Sequence, residues 1–101
     1  MTKINLEVPH VEITAFCRKW RVRELSLFGS VLREDFRPDS DIDVLVSFEA
    51  ASGIGLWEMA EMHEELQTLF GRPVDLITKE GLRNPFRRHA ILSGREVIYA
   101  A

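Results

Sequence analysis

The sequence predicts an α/β fold, a small mixed β-sheet packed with helices in a single domain spanning residues 1–101. Two observations carry this. Segments with apolar residues at helical spacing alternate along the chain with short strand-like runs, as expected when helices cover a sheet. The length of 101 residues and the 46% apolar content suffice for one modest core and leave no room for a second domain.

Each element has its own signal. Residues near Pro9 to Trp20 place Ile13, Phe16, Cys17 and Trp20 at i, i+3, i+4 and i+7, the apolar face of a helix. Glu24 to Phe28 is a short buried strand stopped by Gly29. Ser30 to about Asp35 is expected as a short helix with Ser30 as its N-cap. Arg37-Pro38-Asp39-Ser40 is a turn by composition. Asp41 to Phe48 is the clearest strand: Ile42, Val44, Val46 and Phe48 share one face, and Asp41, Asp43, Leu45 and Ser47 the other. Glu49 to Gly55 is a loop. Leu56 to Phe70 is the clearest helix, with Leu56, Met59, Met62, Leu66, Leu69 and Phe70 as its apolar stripe and Gly71 to end it. A strand over Val74 to Thr78, a helix around Pro85 to Leu92 closed by Gly94, and a last strand over Glu96 to Tyr99 complete the chain.

Composition narrows the function. The formal net charge of −3 argues against the whole molecule as a nucleic-acid binder, which would need a local basic patch. The single cysteine, Cys17, excludes an internal disulfide, suits a reducing cytoplasm, and by its place on the first apolar stripe belongs to the core. His10, His63 and His89 lack metal-ligand spacing. No apolar run is long enough to span a membrane, and the N-terminus lacks a signal-peptide layout. The expected location is cytoplasmic.

The chemistry concentrates mid-chain. Gly29-Ser30 falls where a strand gives way to a helix, a junction whose free backbone N–H groups suit a phosphate. Gly29 lets the backbone approach a ligand, and Ser30 adds a hydroxyl. Ten residues further on, Asp41 and Asp43 flank one apolar residue, so on a strand both carboxylates share a face. Two carboxylates held so close repel unless a proton or cation intervenes. Mg²⁺ is the natural third party, being an oxygen-seeking ion that binds one or two carboxylates together with substrate phosphates. Asp75 is a lone charge in the strand run Val74-Asp75-Leu76-Ile77. If that strand lies beside Asp41–Asp43, three carboxylates could hold two ions for phosphoryl or nucleotidyl transfer.

These residues resemble a known family. Gly29-Ser30, ten residues, Asp41-x-Asp43, then Asp75 on a later strand is similar to the signature of the DNA polymerase beta nucleotidyltransferase superfamily. The strings Leu27-Phe28-Gly29-Ser30-Val31-Leu32-Arg33 and Pro38-Asp39-Ser40-Asp41-Ile42-Asp43-Val44-Leu45-Val46 resemble its minimal branch, the MNT or MntA-like antitoxins. The likeness runs from about Ile13 to Tyr99. It implies the nucleotidyltransferase fold, Asp41 and Asp43 as ligands of Mg²⁺, and Asp75 as the third carboxylate, aiding the attacking hydroxyl. It further implies Gly29 and Ser30 on the β and γ phosphates of ATP, and Arg33 on phosphate or a partner. Glu34 stands where many relatives have glycine, a change at the rim of the site.

For the minimal branch the resemblance implies transfer of AMP from ATP to a hydroxyl of a HEPN-domain protein, as the antitoxin of a HEPN–MNT pair. Two rivals remain: a binding-only antitoxin that masks the HEPN ribonuclease, and a nucleotidyltransferase acting on RNA or a small molecule. Homo- or hetero-oligomers fit any of these. Among the other charges, Lys79 follows the third strand and is either a phosphate contact or a surface lysine. Arg83, Arg87, Arg88, His89 and Arg95 form either a solvated helix face or a docking patch for a partner or RNA.

Overall fold

The computed structural model describes residues 4–101. Met1 to Lys3, part of the N-terminal stretch read as carrying no signal peptide, lie outside the described residues. Helix α1 (His10–Lys19) leads into strand β1 (Val22–Phe28), which begins two residues before its expected start. A 3₁₀ turn (Gly29–Leu32) and a loop follow, then β2 (Ile42–Phe48), α2 (Leu56–Phe70), β3 (Val74–Thr78), α3 (Pro85–Ser93) and β4 (Glu96–Ala100). The sheet order is β3-β2-β1-β4. Strands β2 and β3 are parallel, as the α2 crossover between them requires, and the other pairs are antiparallel. The sheet is therefore mixed, and the α/β expectation holds.

Alternation along the strands divides the apolar residues between two faces. Leu25, Leu27, Ile42, Val44, Val46 and Val74 pack with Ile13, Phe16 and Cys17 of α1 and Met62, Leu66 and Phe70 of α2. On the other face Phe28, Leu45, Leu82 and Ile91 form a smaller cluster under α3. Cys17 lies in the main core, and burial pushes its thiol pKa up to about 12, which leaves it inert.

Two local expectations are corrected. The Ser30–Asp35 helix shrinks to the four residues of the 3₁₀ turn, in which Ser30 is internal; Phe28 occupies the cap position, with no side-chain cap bond. Val31 is the only fully buried side chain of this turn, too little apolar anchorage to sustain an α-helix where packing must supply the stability. Leu56 does not join the α2 stripe: at the first position of the helix it is 89% exposed. The rest of that stripe is buried or half-buried, and Gly71 ends the helix in the left-handed conformation at φ 70°. Among the described residues no helix is long and apolar enough to cross a membrane.

Candidate active site

The site forms at one end of the sheet, on the face that carries α3. The parallel register sets Asp43 of β2 directly beside Asp75 of β3. The antiparallel register sets Asp43 opposite Phe28 on its other side, so Gly29, the next residue, lies against it. Asp41 stands one residue before β2, exposed at the mouth. Of the three expected aspartates, the β2–β3 pairing sets Asp43 and Asp75 side by side, while Asp41 precedes β2 and lies outside both pairings.

Gly29 has φ +74°, and a Cβ there would collide with the Asp43 carboxylate, whose Cγ would lie 3.2 Å away. Only glycine meets both demands, and the bare backbone that results lies open beside the carboxylates. Ser30, half-buried, follows in the same turn, and Arg33 leaves it as an exposed side chain in extended backbone. The turn is held from below by Asn5, whose side-chain nitrogen donates to the carbonyls of Val31 (3.2 Å) and Arg33 (2.7 Å). Arg33 also pairs with Asp35 at 3.2 Å, an exposed contact of little energetic weight.

The electrostatics are those of crowded negative charge. The carboxyl of Asp43 is held above its ordinary pKa, first by burial, then by the charges of Asp75 and Asp41; Arg33 and Arg87 pull it back down. A cation added here would relieve that strain. Among the described residues no three His, Cys, Asp or Glu side chains close into a ready-made metal cage. The aspartates instead offer an open, oxygen-only donor set on adjacent strands, which suits a hard ion that completes its shell with water and phosphate oxygens. Beside Gly29 opens a cleft of about 410 Å³ lined by Phe28, Gly29, Leu32, Arg33, Ala90, Ile91 and Gly94.

Several supporting residues were not foreseen. Arg72 donates to the carbonyls of Arg37 (3.2 Å) and Ser40 (3.5 Å) and lies over the Phe36 ring, fixing the loop that delivers Asp41. His63 Nε2 sits 2.6 Å from the Val74 carbonyl, and Gln67 accepts from the Val74 N–H at 3.2 Å, so α2 clamps the outer edge of β3 beside Asp75. The one sequence signal for this clamp is the helical spacing of His63 and Gln67 at i, i+4. Two of the C-terminal cations are engaged within the fold. Arg88 donates to the carbonyls of Lys79 (2.9 Å) and Leu82 (3.3 Å), and Arg95 pairs with Glu24 at 3.1 Å. Lys79 lines a separate polar cleft with Arg23, Glu24, Ser47 and Arg88, at the end of the strands remote from the aspartates.

Fold and site together define a nucleotidyltransferase domain, and the model of the nucleotidyltransferase domain family matches residues 13–98: the chain belongs to that family. Within it the chain is a minimal, MNT-like member. It is 35% identical to the protein adenylyltransferase MntA of Thermococcus cleftensis, across 98% of this chain and 99% of that one. It superposes on a solved candidate minimal nucleotidyltransferase with a TM-score of 0.72 and 32% identity, covering 86% of each chain. It shares its fold with a chain from the complex of a tri-AMPylated HEPN toxin of Shewanella oneidensis with an MNT antitoxin: TM-score 0.65, 18% identity, 91% of this chain and 70% of that one.

Proposed function

We propose that this nucleotidyltransferase moves AMP from ATP to a hydroxyl of a HEPN-domain protein and thereby serves as its antitoxin, working in the cytoplasm as a single domain of 101 residues. The observation that carries the reading is the pairing of Asp43 with Asp75 across β2 and β3, with Gly29 packed on the Asp43 carboxylate. In this reading Gly29 belongs to a phosphate cradle that adjoins the carboxylates. The 35% identity to a protein adenylyltransferase along essentially the whole chain supports the reaction, and the shared fold of an MNT antitoxin bound to an AMPylated HEPN toxin supports the partner.

In this reading Asp41, Asp43 and Asp75 would hold Mg²⁺. When bound, Mg²⁺ supplies positive charge against the polyphosphate and makes the acceptor hydroxyl easier to deprotonate. The backbone of Gly29 and the hydroxyl of Ser30 donate to the β and γ phosphates, and Arg33 caps the outer end. Asp75, on the exposed edge strand, faces the incoming hydroxyl and orients it. The acceptor oxygen forms a bond to the α-phosphorus as the bond to the bridging oxygen breaks. Pyrophosphate leaves in line, and the hydroxyl proton passes to solvent.

Co-expression with a HEPN-domain partner, followed by intact-mass measurement of that partner, tests the proposal. The expected result is adenylyl increments on the partner that vanish with Asp41→Asn. A stable complex that neutralises the partner with no mass increment would replace it with binding-only antitoxin action. Transfer to RNA or a small hydroxyl compound in preference to protein would move the acceptor elsewhere.

A further inference from the structure

Helix α3 is fixed over the sheet by Ile91, buried against Phe28 and Leu45, and its first turn is fixed by Asn84, whose side chain accepts from the N–H groups of Phe86 (3.0 Å) and Arg87 (3.1 Å). Arg87, Ala90, Ile91 and Gly94 fall at i, i+3, i+4 and i+7, one face of that helix. The last three line the cleft shared with Gly29 and Arg33. Arg87 therefore stands one turn back along the wall that faces Arg33. Its side chain is exposed and makes no ion pair among the described residues. Its charge is felt at Asp43, as is that of Arg33. Two neighbouring cations are otherwise engaged, Arg88 on backbone carbonyls and Arg95 on Glu24.

A polyphosphate laid on Gly29 would meet three carboxylates, and cations on both walls would offset that repulsion. A guanidinium presents paired donors that match phosphate oxygens. We propose that Arg87 is a second phosphate-gripping residue, closing on the nucleotide polyphosphate from the α3 wall opposite Arg33. The assignment rests on the nucleotidyl-transfer reading above.

The test is nucleotide binding by calorimetry, with Mg²⁺ present, for AMP, ADP and a non-hydrolysable ATP analogue. Arg87→Gln should weaken the ATP analogue about tenfold to a hundredfold, the scale of a lost charge-assisted hydrogen bond. It should weaken ADP less and leave AMP unchanged. Arg87→Lys should fall between, and Arg83→Gln, an exposed arginine outside the stripe, should bind as the unmodified protein does. An unchanged Kd for the ATP analogue in Arg87→Gln would overturn the proposal, as would an equal loss for AMP and ATP. If the unmodified protein binds no nucleotide at all, both the nucleotidyl-transfer reading and this assignment fall; if it binds and Arg87→Gln binds equally, only this assignment does.

Discussion

Asp43 carries opposing demands. Burial and two neighbouring carboxylates favour its protonated form, while the proposed chemistry needs it ionised. Because its folded pKa lies above the unfolded one, the folded chain holds that proton more tightly. Stability therefore falls as pH climbs from the ordinary aspartate range through the raised pKa, and the loss persists at neutral pH. Asp43→Asn should accordingly raise the melting temperature of the metal-free protein at neutral pH, and the gain should vanish in acid below the ordinary aspartate range. The same variant should lose transfer activity by more than about a hundredfold, the upper end of losses seen when only a ligand's supporting contact is removed. Gly29→Ala should act in the opposite sense on stability. The left-handed backbone alone costs about 1–2 kcal/mol for a residue with a Cβ, and the clash with Asp43 adds to it, so both melting temperature and activity should drop. Asp43 and Gly29 were legible in the sequence because strand alternation fixes the direction of a side chain and a glycine after a strand marks a close approach. Arg87 was not legible: which way a helix arginine points depends on how the helix crosses the sheet, and that is settled by Ile91 meeting Phe28 and Leu45.

At the level of elements, the site depends on β3 staying in register with β2. Both backbone polar groups of Val74 are held by α2, through His63 and Gln67. Replacing both residues with alanine should lower stability by about 1–3 kcal/mol for each group left unpaired, and should reduce turnover about tenfold or more by loosening Asp75. Chemical denaturation and steady-state kinetics on the double variant would show whether the two losses occur together. Most elements could be read from periodicity: β2, α2, β3 and α3 lie where the spacing of apolar residues placed them. The failures share a cause. The helix expected over Ser30–Asp35 and the place of Leu56 on the α2 stripe were inferred from local pattern, whereas the outcome depends on whether a packing partner exists at that end of the element. Val31 is the only fully buried side chain of the short turn, and Leu56 projects into solvent at the start of α2.

For the molecule as a whole, the fold is a scaffold that brings strand ends and one turn together at one end of a mixed sheet. Its main core, between the sheet and α1 and α2, is remote in side-chain direction from the aspartates, so the site can be altered with little disturbance to packing. Binding of Mg²⁺ and ATP to the native state should raise stability by about 2.7 kcal/mol at a hundredfold excess over Kd. Chelation of the metal should remove that gain, and Asp43→Asn should not show it. The family was legible because its signature rests on residues whose geometry is local to strands. The acceptor was not, because no residue pattern in the sequence carries a recognisable signal for it.

In the proposed function the aspartates of β2 and β3 support metal-dependent transfer of a nucleotide to a protein. The most direct measurement follows label from α-phosphate-labelled ATP onto a HEPN-domain partner, with and without Mg²⁺, for the unmodified chain and for Asp43→Asn. Label is expected on the partner only with Mg²⁺ and only with Asp43 intact. Undiminished labelling by Asp43→Asn, or labelling indifferent to the metal, would contradict it.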